Sequence, residues 1–477
     1  SKEGNINIKK SAEALAEGNS QVGNLPINIV SYGNLRLEAD YGTVKTDFTK
    51  GGYTKIAGKY NTSIGAKNIE LNGGAYGSQQ GNLTLRAGTL VKNPNTGLMD
   101  ILGGGIKIND SVLQASRGEL AIQGLETTLA NATLDYNTLS FYNDYYLKNN
   151  LNHDVLIKDG TTFFDRQVES GAKDTLVLET TGQLILDHNK LQKADFDDTR
   201  DQMIATAADQ TSNVKLSSLN SQVSIRNNSD VKVSGNIELN GKTNANVSTS
   251  DVTSKNGNIT MIGGTKVTLG DAIDQIAGDK NVITKKGSTL NAANGNITLT
   301  AKGDVKDPTA TQDIRGITIL NSKLNAKNNT LTANNGDVSI QTSTITATTG
   351  NNKITADNAR VGIQQGSNVI AANQSDIVAK NDVIITNSTV KSSKKNNITS
   401  QTNKVTVKGT GALVQSTGSD VVINQALTAN TDTDFDQAQG IKAAGNIYLN
   451  VKGNGQNINS NGTVGSFAAG NRLVLNA

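Results

Sequence analysis

The stretch Ser288-Thr289-Leu290-Asn291-Ala292-Ala293-Asn294-Gly295-Asn296-Ile297-Thr298-Leu299 decides the reading of this chain, because it recurs. Ser111-Val112-Leu113-Gln114-Ala115-Ser116-Arg117-Gly118-Glu119-Leu120-Ala121-Ile122 follows the same template, S-x-L-x-A-x-x-G-x-h-x-h with h aliphatic. The segment from Ser250 to Met261 fits it with Val252 and Ser254 in the Leu and Ala places. Aliphatic and polar residues that alternate with a period of two mark a strand with one buried face, and the polar, Gly-containing step between the halves marks a corner. Each copy predicts two short strands joined by a bend.

The second half of the template also occurs alone. It reads Gly33-Asn34-Leu35-Arg36-Leu37, Gly81-Asn82-Leu83-Thr84-Leu85, Gly235-Asn236-Ile237-Glu238-Leu239 and Gly445-Asn446-Ile447-Tyr448-Leu449. A Ser two residues before an aliphatic gives a second register mark at Ser322/Leu324, Ser343/Ile345, Ser367/Val369 and Ser388/Val390, spaced by 21 to 24 residues. Such a period is the signature of a solenoid. A leucine-rich repeat needs several Leu per unit and usually a helical side, and neither is present. The predicted fold is all-β: a right-handed parallel β-helix of about 20–22 residues per coil, in which inward h-x-h residues stack on their counterparts in adjacent coils. Asn is expected to ladder from coil to coil through its amide, and Gly or Asn to accept the positive φ of the corners.

Composition fits this reading. The 477 residues include 60 Asn, 52 Thr and 48 Gly but 3 Pro, no Cys and no Trp, with 35% hydrophobic and 4% aromatic residues. So few bulky side chains suit an elongated body with a thin core better than several globular cores. Disorder would call for a high net charge and few β-branched residues, whereas the net charge is +3 and Val, Ile and Thr abound. Without Cys there is no disulfide framework, thiolate metal site or Cys nucleophile. Only His153 and His188 remain for imidazole chemistry. No apolar run reaches the ~18 residues of a membrane helix. No Lys/Arg stripe with interleaved aromatics points to nucleic acid.

The pattern weakens between about Ala130 and Gln210. Residues 1–130 read as decorated coils, 131–210 as an aromatic-rich interruption or extra-helical subdomain, and 211–477 as regular shaft. Seven of the 17 aromatics, Tyr136, Phe141, Tyr142, Tyr145, Tyr146, Phe163 and Phe164, fall within 29 residues of the interruption. They form either a small satellite core or the contact area for a binding partner. A short helix is expected where Phe196, Arg200, Met203, Ile204 and Ala207 recur at helical spacing after Asp195 or Asp198.

Two acidic clusters, Asp195 to Asp201 and Asp432 to Asp436, begin like Ca²⁺ loops. Arg200 and Gln437 stand where such a loop needs Gly, and Thr206 and Ala443 where it needs Glu; no metal and no cofactor is expected. The basic run Lys391 to Lys395 reads as a corner loop facing water. A polysaccharide-degrading β-helix is the enzymatic alternative, since stacking can bring carboxylates of different coils together. The outward middle residues of the h-x-h triplets, mostly Asn, Thr, Ser, Ala, Arg, Tyr and Glu238, form no acidic column, so no enzyme is expected.

The template with its G-N-[IL]-x-[IL] strands resembles the repeats of the filamentous haemagglutinin family. These are the large exoproteins of two-partner secretion, among them the contact-dependent growth-inhibition exoproteins. The resemblance covers most of residues 1–130 and 211–477. It implies a surface filament of a Gram-negative bacterium, secreted through a dedicated outer-membrane transporter barrel, that engages a protein or glycan receptor on a target cell in adhesion or growth inhibition. A plain spacer is the remaining alternative. The strand patterns at both ends, Asn5 to Ile8 and Leu473 to Leu475, lead us to expect an internal repeat fragment of a longer protein.

Overall fold

A strand of four or five residues cannot hold itself together, so each h-x-h segment needs a neighbour on both sides. The computed structural model supplies them. It describes residues 6–9, 28–48, 55–92, 94, 99–188, 190–192, 213–270, 287–304, 315–426, 435, 440–452 and 467–476. The regular structure of the described chain is nearly all β, in long sheets of parallel strands, as in a parallel β-helix. Contacts divide it into two units, Ser1–Val223 with Ser229–Val231, and Ser224–Asn228 with Lys232–Ala477.

In the second unit the repeat read from sequence is the register of the ladder. Strand Asp251–Ser254 pairs with Thr289–Ala301 so that Val252 lies opposite Leu290 and Ser254 opposite Ala292. Ile259 lies opposite Ile297 in the same way. Partners are 21 residues apart in Lys323↔Thr344 and 24 apart in Thr344↔Asn368. One core column runs Val252, Leu290, Leu324, Ile345, Val369, Val390, Val414 and Ile441, each at most 2% exposed. Burying one such side chain contributes about 1.5–3 kcal/mol, and no residue of the column buries itself without the coils on either side.

Polar residues form columns too. Asn329, Asn352, Ser375 and Asn396 stack in register at 0% exposure. Asn329 Nδ2 donates to Asn352 Oδ1 at 2.9 Å and to the Thr346 carbonyl at 2.9 Å, and Asn352 Nδ2 donates to the Ile370 carbonyl at 2.8 Å. The Ser marks form another ladder. The backbone N–H of Ser322 donates to Ser343 Oγ, that of Ser343 to Ser367 Oγ and that of Ser367 to Ser388 Oγ, at 3.1 to 3.2 Å. Each hydroxyl donates in turn to a carbonyl two or three residues upstream at 2.6 to 2.9 Å.

The Asn of the G-N phrase ladders as expected, but onto backbone. Asn236 Oδ1 accepts from the N–H of Asn258 at 2.8 Å and Asn258 Oδ1 from that of Asn296 at 2.8 Å. The glycine beside it has a different role from the one expected. Gly257 and Gly295 do not have positive φ; a Cβ on Gly295 would lie 1.9 Å from the Gly257 carbonyl oxygen of the neighbouring coil. Close stacking, not left-handed backbone, demands Gly there. Left-handed corners fall instead on the residue before the Ser mark: Asn321 at φ 48°, Thr342 at 50°, Gly366 at 77° and Asn387 at 49°.

The first unit is built alike. Ile29, Ile56, Tyr76, Leu113, Leu134 and Phe163 form one column. Asn34 Oδ1, Asn61 Oδ1 and Asn82 Oδ1 accept from the N–H groups of Asn61, Asn82 and Glu119 at 2.9 to 3.1 Å. Residues 133–187, where the pattern weakens, still carry coil strands: Thr133–Ser140, Asp154–Lys158, Thr162–Asp165, Thr175–Thr180 and Leu184–Asp187. Between them stand two short helices, α1 (Asp144–Lys148) and α2 (Arg166–Glu169), N-capped by Asn143 and Asp165. The helix expected around Phe196 to Ala207 lies outside the described residues. Among the described residues no helix is long and apolar enough to cross a membrane.

Substituting Ser343→Ala removes the acceptor of a buried N–H and is expected to cost about 1–3 kcal/mol. Thr342 is β-branched at φ 50°, so Thr342→Gly is expected to stabilise or be neutral. Urea midpoints of the two variants check both signs.

Candidate functional site

Among the described residues of the first unit the coil ladder parts after strand Thr133–Ser140. Strand Val112–Gln123 pairs along both halves of Thr133–Ser140, Val112 to Ala115 with Thr133 to Tyr136 and Glu119 to Ala121 with Thr138 to Ser140. On its other side only the first half is continued, by Thr162–Asp165. There the chain turns into α2 and a loop before strand 175–180, which pairs with Asn213–Ser218. Among the described residues no ladder joins Thr138, Leu139 and Ser140 to strand 175–180. Where the ladder parts, a cleft of about 440 Å³ opens. Leu139 lines it and stays half-exposed although its ladder partner Leu120 is in the core.

Three anchors hold the walls. Arg166, first residue of α2, donates from Nε and Nη2 to the two oxygens of Asp135 at 2.7 Å each, a bidentate pair of fixed geometry. Asp165 caps α2 through Oδ1, accepting from the N–H groups of Gln167 at 3.0 Å and Val168 at 3.4 Å, and its Oδ2 faces Lys173 Nζ at 3.5 Å. Across the opening, the Tyr142 hydroxyl donates to Glu179 Oε1. Burial, together with that carboxylate, raises the Tyr142 pKa, so the phenol keeps its proton.

The seven aromatics separate into three groups. Tyr136 and Phe163 sit in the coil core at 1% and 0% exposure, Phe163 in the column of Leu134 and Tyr136 in that of Ala115. Phe141 and Tyr146 are buried in a satellite cluster around His153, with ring centroids 6.2 and 6.0 Å from the imidazole. These four present almost no area to a partner, because h positions and satellite packing consume it. Tyr142, Tyr145 and Phe164 remain half-exposed, and a contact role rests with them. A sequence signal for Phe163 existed: Thr161 takes the place of the Ser mark, its Oγ1 accepting from the N–H of Ala132 at 3.3 Å. Asp165, Lys173 and Glu179 gave no local signal, since only the parted coils bring them to one cleft with Tyr136.

His153 is a packing residue. Its Nδ1–H donates to the Phe141 carbonyl, so in the neutral ring Nε2 accepts from Thr127 Oγ1 at 2.7 Å. Burial lowers its pKa to about 4, against a smaller opposite effect of the Phe141 carbonyl. His188 lies at a corner with φ 49°. Among the described residues no group of three or more His, Asp or Glu is placed to hold a metal ion. The clusters Asp195 to Asp201 and Asp432 to Asp436 lie outside the described residues apart from Phe435. The run Lys391 to Lys395 spans a corner between strands Thr389–Ser392 and Lys395–Ser400, with Ser393 and Lys394 exposed.

The His153 geometry predicts acid lability. The unfolded chain binds this proton near pH 6.5 and the folded chain only near pH 4. The contribution of the neutral ring is therefore full above pH 6.5 and lost as pH falls towards 4, up to about 3 kcal/mol. Melting temperatures from pH 7 to pH 4 are expected to fall more steeply for the parent than for His153→Gln.

No family model, no curated protein and no solved structure matches the chain.

Proposed function

We propose that this chain is a structural and binding segment of a bacterial cell-surface exoprotein, secreted through an outer-membrane transporter barrel and presenting a receptor-binding surface to a target cell. The supporting observation is the contrast between two kinds of coil. Most stack residue on residue with short polar corners, whereas residues 133–187 add two helices and a parted ladder beside the half-exposed Tyr142, Tyr145 and Phe164; Tyr32, Tyr41 and Tyr60 stand exposed on earlier coils. Stacked coils give a stiff scaffold, and recognition is best served by irregular segments that such a scaffold holds in place. The resemblance of the G-N-[IL]-x-[IL] repeats to filamentous haemagglutinin-type exoproteins supports the same reading. The role is non-catalytic in this proposal.

The cleft favours one alternative, because Asp165 and Glu179 both line it and a glycosidase needs two carboxylates flanking its substrate. Both are already engaged, Asp165 with the α2 cap and Lys173 and Glu179 with Tyr142. Incubation with neutral and acidic polysaccharides, watched for new reducing ends or unsaturated products, separates the enzyme from the binder.

Cutting out residues 131–210 would remove core strands, so point substitutions make the better test. Tyr145→Ser with Phe164→Ser is expected to lower binding of the labelled protein to target cells at least tenfold, with circular dichroism unchanged. Binding equal to the parent's would sink the assignment to this face.

A further inference from the structure

We infer that a notch on the first unit, floored by Gly65 and walled by Asp40 and Tyr41 on one side and Arg86 and Leu90 on the other, binds a small zwitterion, an α-amino acid with an apolar side chain. The notch shares no lining residue with the cleft beside strand 175–180, and the inference goes beyond the receptor-binding role.

The notch follows from unequal corners in three successive coils. Ala39, Ala66 and Ala87 stack in register, and so do Val44, Ile69 and Ile106. Between these two core columns the first coil places Asp40 to Thr43, the middle coil only Lys67 and Asn68, and the third coil residues 88–105. The third corner carries a hairpin of strands Thr89–Lys92 and Met99–Leu102, antiparallel in a body of parallel ladders. A short corner between two long ones leaves a cavity of about 310 Å³, at the small end of ligand sites. Tyr41 at 53% exposure and Leu90 at 48% both line it, so a ligand can reach its apolar surface.

The second observation is Gly65. Glu38, Gly65 and Arg86 share one outward column. Gly65 does not have positive φ, and a Cβ there would meet Glu38 Oε1 at 3.4 Å, an ordinary contact. Unlike Gly295, it answers no demand of backbone or stacking, and a glycine of that kind inside a strand marks a place where something else comes close. Its missing side chain deepens the floor.

The third observation is the division of charge. Glu38 and Asp40 stand on the wall of the first coil and Arg86 on that of the third. Two ladder spacings separate the backbones of Glu38 and Arg86, roughly 10 Å, and Glu38 pairs within its own coil, with Arg36. Among the described residues the Arg86 guanidinium has no hydrogen bond and no ion pair, and it is exposed. Its planar fork suits a carboxylate. A ligand with a carboxylate at one point and an ammonium at another satisfies both walls, with its apolar part between the Tyr41 ring and Leu90. A simple anion would meet Glu38 and Asp40, a simple cation would meet Arg86, and a neutral molecule gives neither wall a counter-charge.

The test titrates the whole chain, by calorimetry and ligand-observed NMR, with L-leucine and L-phenylalanine. The probes 3-methylbutylamine and 4-methylpentanoate keep an apolar body but carry a single charge each. At least one amino acid is expected to bind saturably, and at least tenfold more tightly than either single-charge probe. Gly65→Val fills the floor with a residue that suits a strand; it is expected to weaken binding at least tenfold with circular dichroism unchanged. Arg86→Gln, at an exposed position, is expected to weaken binding at least tenfold at an unchanged melting temperature, and it keeps the test decisive should valine at 65 disturb the coil. The inference is overturned if neither amino acid binds, if a single-charge probe binds as tightly, or if either variant, folded, binds as the parent does.

Discussion

Everything in this protein depends on parallel, in-register stacking of one coil on the next. Because the ladder places each residue against its counterpart one coil away, a residue type that satisfies itself in a column can be repeated, and one that does not breaks the column. Aliphatic columns satisfy themselves by packing, as from Val252 to Ile441. Asn columns do so because an amide both donates and accepts, as where Asn476 Nδ2 donates to Asn450 Oδ1 and Asn450 Nδ2 to Asn424 Oδ1. Ser does so by taking a backbone N–H from the neighbouring coil while giving its proton to its own coil.

The same constraint explains the composition. A body one coil wide needs few large side chains, and each corner must close without a Cβ in the path of the next coil, hence glycine at Gly257 and Gly295. Proline is scarce because ladder positions need their N–H groups. Where bulky residues enter, the coils have to adapt. Tyr136 fits a position held by Ala115 one coil earlier, and just beyond it the ladder parts and α2 is inserted. Aromatic enrichment and the cleft are in this sense one event.

That event also accounts for the division among the aromatics. A coil that cannot continue its second strand has to dispose of its chain elsewhere, and α1 with Phe141, Tyr146 and His153 forms a small core outside the ladder. Burial keeps His153 neutral, linking this satellite to pH, while of the half-exposed rings Tyr142 lines the opening.

The sequence by itself determined the all-β class, the coil period and the register. Its template S-x-L-x-A-x-x-G-x-h-x-h aligned Ser250 to Met261 with Ser288 to Leu299 as the ladder aligns them, because stacking forces equivalent residues together. Its aromatics also marked the stretch in which the ladder parts. Only the tertiary structure decided which of those rings are core, that Gly295 serves close approach and Thr342 the left-handed corner, and that Asp165, Lys173 and Glu179 share a cleft with Tyr136. The physical reason is that columns repeat and leave a periodic trace, whereas a site made where the columns stop has no period, and its members meet only through the fold.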